Sequence, residues 1–367
     1  MISKIYLDVP RWFYSRRSTD WRMKLNLARI LFPSYEVMAR SVWFSIFYNA
    51  QYLVPRFLPK RLRHSFALMC ITARARILSW IGAKVVVSQG GEPPLPSGAR
   101  VIWETYFLEP QPGELDYGEA FHRGCDNYWM KCMENYGGKV FRIGVRGGYS
   151  VALVKRHFPE FANKVVDLGF VYDECSIPSE EEVVKKQQCK STVQILFVGR
   201  QAKLKGVVPL VDALVSLRKA GVCNFKLTLV STFRDGVVSL PNEEWVEHLK
   251  EVSHEEALHL FRQAQIFVMP TFRDSYGLVY HEALANGCVT CVSKREPQME
   301  FVDYGKAGVI LDPFSSDTMA EKLKEIIMNE KMRVELAVAG RRRYIDIYSQ
   351  QVIRKRWLNV LEEASHD

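Results

Sequence analysis

The chain lacks any apolar run of the ~20 residues that a membrane-spanning helix needs. Its most hydrophobic early stretch, SVWFSIFYNAQYLVPRFLP from Ser41, is broken by Asn49, Gln51 and Pro55. No secretory signal opens it, and 8 cysteines in 367 residues do not form the dense framework of a small secreted domain. A reduced, cytosolic compartment is the expectation. The one Cys-x-x-Cys, Cys288 to Cys291, lies in a β-like run where residues three apart point to opposite faces, which argues against a metal or redox pair. There is no Asp-x-Asp motif, which disfavours a metal bridge between carboxylates and a bound anion. His122, His157 and His281 have no spacing that suggests metal or triad chemistry. Acid is also scarce at one end: residues 1–100 carry 16 Lys+Arg against 4 Asp+Glu, while the whole chain is only +9. The basicity belongs to the N-terminal part.

What is present is enough for two cores. The length exceeds that of one hydrophobic core, and 48% hydrophobic residues can fill two domains of roughly 150 to 200 residues. In the first part, KIYLDV, AKVVVS (from Ala83), RVIWETYF (from Arg100) and KVFRIGV (from Lys139) read as short strands covered on both faces, with a long helical stretch from about Ser18 to Ile81. DECSIPSEEEVVKKQQCKST from Asp173 is polar and reads as a linker. From Val193, strand and helix alternate strictly: VQILFVG, GVVPLVDALVSLRKAG, NFKLTLVS, then WVEHLKEV, HEEALHLFRQA, IFVMP, a helix from Gly277, and CVTCVS. Ser253 with Glu256 marks a capping box at HEEALHLFRQA. This alternation predicts a parallel, doubly wound sheet, which binds ligands where strands end and helices begin.

That rule places the ends of ILFVG and IFVMP on one rim. FVGRQAKLKG leaves its strand at Gly199 and presents Arg200 and Lys205. A guanidinium grips phosphate oxygens bidentately and a lysine acts as a mobile point charge. In PTFRDSYGLVYHEALANG, a helix start at Gly277 and Leu278 offers backbone N–H groups to an anion. Asp274 and Glu282 lie on either side of that point, and carboxylates accept paired hydrogen bonds from vicinal hydroxyls. A nucleotide-sugar has hydroxyls at both ends and pyrophosphate in the middle. The plain alternatives are two solvated cations, a helix cap for Asp274, and an internal ion pair for Glu282.

Val193 to Pro313 resembles the donor domain of the retaining family-4 glycosyltransferases (glycosyl transferases group 1), which have the GT-B fold. The matching positions are Gly199-Arg200, Lys205-Gly206, Pro270-Thr271, Asp274, Tyr276-Gly277 and Glu282, followed by ALANG. The resemblance implies two Rossmann-like doubly wound domains facing across a cleft: an acceptor domain over 1–174, a linker over 175–192, and a donor domain over 193–342. The C-terminal helix, about 343–367, would cross back to the first domain. It also implies transfer of a sugar from a nucleotide-sugar, such as a UDP- or GDP-sugar, to a glycan or lipid-linked acceptor. Anomeric configuration would be retained, with neither metal nor cofactor. Arg200 and Lys205 would hold the diphosphate, helped by Gly277 and Leu278. Asp274 would touch the sugar and Glu282 the ribose, with Gly199, Ser275 and Tyr276 completing the donor loops.

Three departures stand out. The first acid is Asp274, one methylene shorter than the family's usual glutamate. PRWFYSRRSTDW, without glycine, replaces a glycine-rich loop, and Glu104 and Thr105 stand where many members have a histidine. GVRGGYS from Gly144 reads either as a weak phosphate loop or as a glycine turn. RWFYSRRSTDWRMKLNLARILF and PRFLPKRLRHSFALMCITARARILSW mix Arg and Lys with aromatic and aliphatic residues. Such stretches suit either the anionic cytoplasmic membrane face or an ordinary packed helix with a solvated basic face, whereas the sugar-nucleotide rim gives nucleic acid little support. The alternative to an enzyme is a catalytically weak GT-B-like scaffold that binds a nucleotide or glycan.

Overall fold

The structure, a computed structural model, describes residues 5–8, 60–80, 82–89, 92–105, 129–170, 177–188, 192–233, 239–274 and 276–366. The chain divides into two compact units. The first comprises residues 1–110, 120–173 and 350–367, and the second 111–119 and 174–349. The basic stretch over 11–32 lies outside the described residues, as does Ser275.

The first unit holds a five-stranded parallel sheet in the order β1 (Ile5–Asp8), β2 (Val85–Gln89), β3 (Arg100–Glu104), β4 (Arg142–Val145), β5 (Val165–Asp167). Alternate side chains supply its two faces. Val86, Val101, Trp103 and Ile143 pack with Leu78 of helix α1 (Lys60–Trp80) and with Leu153 and Val154 of helix α2 (Gly147–His157). Val85, Val87 and Ile102 face the other way and are covered by Ile353, Trp357 and Leu361. These last belong to the C-terminal helix, which begins at Gln350 and ends at Ser365. Its recruitment explains how strands this short stay buried on both faces.

The second unit holds six parallel strands in the order β11-β10-β9-β6-β7-β8. These are β6 (Val193–Val198), β7 (Phe225–Val230), β8 (Val246–Leu249), β9 (Ile266–Met269), β10 (Val289–Ser293) and β11 (Val309–Leu311). The chain runs outward from β6 to β8, returns to pair β9 beside β6, and continues outward to β11. The switch point of the sheet therefore falls between β6 and β9, where an open α/β sheet leaves a crevice for ligands.

One expectation fails here. Part of the stretch read as a linker forms helix α3 (Glu180–Gln187), started by a full capping box from Ser179 and Glu182. Val183 and Gln187 are buried, and the Gln187 amide donates to the carbonyls of Gln265 and Gly287, both at 2.9 Å. Two inward residues four apart suffice for a short helix whose remaining faces are polar.

Candidate active site

Two loops meet at the switch point. The β6 loop runs from Gly199 to Gly206, where helix α4 (Val207–Lys219) begins, and the β9 loop runs from Pro270 to Gly277, where helix α5 (Leu278–Ala285) begins. Both helices start from a glycine in the left-handed region, at φ 79° for Gly206 and 96° for Gly277. The reason at Gly206 is proximity: a Cβ there would land on the carbonyl oxygen of Pro270. The loops are also stitched together. Phe272 N–H donates to the Leu204 carbonyl at 2.9 Å, and the Thr271 hydroxyl reaches that carbonyl at 3.2 Å. The Ser293 hydroxyl, at the end of β10, donates to the Thr271 carbonyl at 2.5 Å.

This framework brings most of the expected donor residues to one rim. Lys205 Nζ lies 2.6 Å from Asp274 Oδ2 and 3.3 Å from the Arg273 carbonyl, and both charged side chains are mostly buried. Asp274 Oδ1 also accepts from the Tyr276 N–H at 3.4 Å, so the carboxylate bends back towards the start of α5. No described side chain caps α5, leaving Gly277 and Leu278 at a bare helix start. A Cβ on Gly277 would meet the Tyr280 ring at 2.6 Å, a second reason for glycine there. Arg200 is exposed directly after Gly199, and no hydrogen bond or ion pair ties it to another described residue. The rim thus presents a guanidinium, a lysine–aspartate pair and a helix N-terminus, a set suited to an anion flanked by hydroxyl-bearing groups.

Glu282 does meet a partner. Its Oε1 lies 3.1 Å from Nε2 of His254, the first residue of the helix His254–Gln263 between β8 and β9. The expected capping box of that helix is present, from Ser253 and Glu256. The Glu282 side chain is 9% exposed and that of His254 37%, so the pair opens outward through the histidine. Sequence reasoning missed His254. It stands 28 residues from Glu282, and only the return of the chain to β9 makes them neighbours. It missed the direct Lys205–Asp274 contact for the same reason.

Other singled-out residues have roles inside the fold. Glu104 is buried and pairs with Arg146 at 2.9 Å, whose guanidinium lies 4.5 Å from the Phe170 ring. The start of α2 at Gly147 donates to Asp167 Oδ1 at 2.9 Å, and Asp167 Oδ2 meets Arg356 at 2.6 Å. GVRGGYS is therefore a glycine turn that a carboxylate of the chain already fills. His281 is buried within a ring cluster of Tyr276, Phe301, Tyr344 and Tyr348. The Cys288 thiol donates to the carbonyls of Phe261 and Ala264 and sits 3.6 Å from Lys186 Nζ. Burial pushes that thiol upward and the Lys186 ammonium downward in pKa, despite their mutual attraction.

The two sheets, each with its helices, have the architecture of GT-B glycosyltransferases. Residues 179–343 match the model of the family "Glycosyl transferases group 1". Among curated relatives, D-inositol 3-phosphate glycosyltransferase of Pseudarthrobacter chlorophenolicus is 27% identical over 158 residues, 41% of this chain and 38% of that one. The chain spans about two-fifths of the length of the curated relatives it matches. WaaG, a glycosyltransferase involved in lipopolysaccharide biosynthesis, superposes with a TM-score of 0.63 over 97% of this chain and 99% of its own, at 14% identity. The structure of trehalose-6-phosphate from E. coli bound with UDP-2-fluoro glucose gives 0.65 over 98% of this chain and 99% of its own, at 11% identity. At such identities the likeness is one of fold.

Proposed function

We propose that the protein is a glycosyltransferase that moves a sugar from a nucleotide-sugar, such as a UDP- or GDP-sugar, onto a glycan or lipid-linked acceptor. The observation that carries this reading is the convergence of Arg200, the Lys205–Asp274 pair and the bare start of α5 at the switch point. The group 1 family match over the same residues supports it. As the sugar–phosphate bond breaks, negative charge gathers on the nucleoside diphosphate. Arg200, Lys205 and the N–H groups of Gly277 and Leu278 stabilise that charge more than they stabilise the bound donor, which lowers the barrier without a metal. Asp274 orients Lys205 and accepts from the donor sugar, with Ser275 and Tyr276 following it along the loop and Gly199 opening the facing one. Glu282, braced by His254, accepts from the ribose hydroxyls.

Retention of configuration follows from likeness to the family-4 enzymes. The acceptor hydroxyl attacks the face the leaving group vacates, the acceptor oxygen–carbon bond forms, and its proton passes to the departing phosphate oxygen. A lipid-linked acceptor at the cytoplasmic membrane face suits the N-terminal charge. The second reading, a catalytically weak scaffold, draws on one observation, that Lys205 is closed onto Asp274. Donor turnover in wild type and Arg200→Ala separates them: the enzyme reading expects a loss of about 100-fold or more in the variant, and the scaffold reading expects equal, negligible rates. NMR of the product then tests the stereochemistry, and an inverted anomer contradicts the family-4 route.

A further inference from the structure

The loop that carries Asp274 is held through its carbonyls. That of Thr271 accepts from the Ser293 hydroxyl at the end of β10, and that of Arg273 accepts from the Thr271 hydroxyl at 2.8 Å and from Lys205 Nζ at 3.3 Å. The carbonyl of Asp274 itself accepts from the Gln298 side-chain amide at 3.1 Å, its one partner among the described residues. Gln298 opens a short helix, Gln298–Phe301, just after β10, and is only 1% exposed. A buried amide needs an acceptor, and here the acceptor is the backbone of a candidate site residue. The short helix is fixed in turn. Arg343 Nε donates to the carbonyls of Glu300 and Phe301 at 3.1 and 3.0 Å, and the Phe301 ring packs on Tyr276 and Tyr280 with centroids 5.1 and 5.2 Å away. All of these residues belong to the second unit, so a continuous line of contacts runs from Arg343 through Gln298 to Asp274 and Lys205.

We infer that Gln298 is a positioning residue for sugar transfer: its amide fixes the Asp274 peptide, and with it the angle at which the carboxylate meets Lys205 and the donor sugar. Asp274 Oδ2 lies 2.6 Å from Lys205 Nζ, and Oδ1 turns back to the Tyr276 N–H at 3.4 Å. Both oxygens are therefore aimed by the backbone that Gln298 holds. Without the amide, the peptide after Asp274 is free to rotate, and the carboxylate turns with it. A misplacement of about 1 Å at a reacting centre costs on the order of 100-fold in rate. The diphosphate contacts come from Arg200, Lys205 and the start of α5, which Gln298 does not touch, so diphosphate binding is far less sensitive to its loss. The inference rests on the proposed function, because it assigns a role within that reaction.

The test follows turnover of a panel of UDP-, GDP- and ADP-hexoses by the full chain, beside calorimetric affinities for UDP, GDP and ADP. Gln298→Met keeps the bulk of the side chain and removes the donor. Turnover should fall about 30-fold or more, while diphosphate affinity stays within about threefold of wild type. Gln298→Glu gives a second arm that does not depend on how well the first variant folds. An ionised carboxylate cannot donate to the Asp274 carbonyl, whereas the protonated acid can. Burial raises the pKa of such a carboxyl, so turnover by this variant relative to wild type should rise as pH falls below about 7. Asp274, Glu296, Glu300 and Tyr304 titrate in both proteins, and the ratio of the two profiles isolates position 298. Melting temperatures at each pH verify that folded protein is compared. Wild-type turnover by Gln298→Met, or a ratio for Gln298→Glu that does not move with pH, overturns the inference and leaves the proposed function standing. Loss of diphosphate affinity in step with turnover also overturns it, because Gln298 would then support the whole rim rather than the acid. Turnover of no member of the panel by wild type overturns the proposed function and this inference together.

Discussion

Lys205 and Asp274 hold each other at 2.6 Å in a site that, on the proposed function, must receive a diphosphate. A lysine with a carboxylate partner offers an anion less charge than a free one. Replacing Asp274 by Asn should therefore raise affinity for UDP or GDP, by roughly threefold to tenfold given the worth of a partly screened pair. Sugar transfer should fall in the same variant. Calorimetric titration beside a turnover assay reads both, and weaker diphosphate binding would show that ordering of Lys205 by Asp274 outweighs the competition for its charge. At the other end, the proposed function has Glu282 accept from ribose, so Glu282→Ala should shrink the preference for UDP over its 2′-deoxy analogue by about tenfold. His254→Gln, which keeps a donor near Glu282, should behave as wild type, whereas His254→Ala should lose part of that preference. At this scale the sequence was a good guide to residue types and a poor one to partners. Arg200, Lys205, Asp274 and Glu282 stand out by spacing within two short segments. His254 does not, because nothing local distinguishes a histidine at a helix start that faces a carboxylate from one that faces water.

Among the elements, the second unit was the more legible. Its strands are apolar runs bounded by turns, and its helices have clear periodicity, so the β6–β9 rim is legible from the sequence alone. β5 and β11 were missed because three residues each, Val165–Asp167 and Val309–Leu311, carry too little pattern. Helix α3 was missed although Ser179 and Glu182 repeat the signature recognised at Ser253 and Glu256; a polar composition outweighed the cap. Ser179→Ala should cost about 1 kcal/mol, measurable by denaturant unfolding, and no change would mean that the Gln187 bonds alone hold the helix. Gly206→Ala should be more severe. It combines a left-handed backbone, costing about 1–2 kcal/mol for an alanine, with a clash against the Pro270 carbonyl. The melting temperature should fall and nucleotide affinity with it, because the β6 and β9 loops must part.

Across the whole molecule, charge is unevenly divided: the first hundred residues are strongly basic and the remainder is slightly acidic. The donor rim is thus a local cationic feature in an otherwise acidic part of the chain, while the basic excess suits the proposed lipid-linked acceptor at a membrane face. The two should respond differently to salt. Raising ionic strength beyond the point where the Debye length is about 3 Å should release the protein from anionic vesicles while leaving much of the nucleotide affinity, since exposed charges are screened more than partly buried ones. The central claim is that the rim between β6 and β9 holds a sugar nucleotide. Thermal shift of the full chain against UDP-, GDP- and ADP-sugars tests it most directly, because a ligand at 100 times its dissociation constant adds about 2.7 kcal/mol to the folded state. At least one donor should raise the melting temperature of the wild type and fail to do so in Arg200→Ala. No shift with any of them, or an equal shift in the variant, would contradict a donor site at this rim.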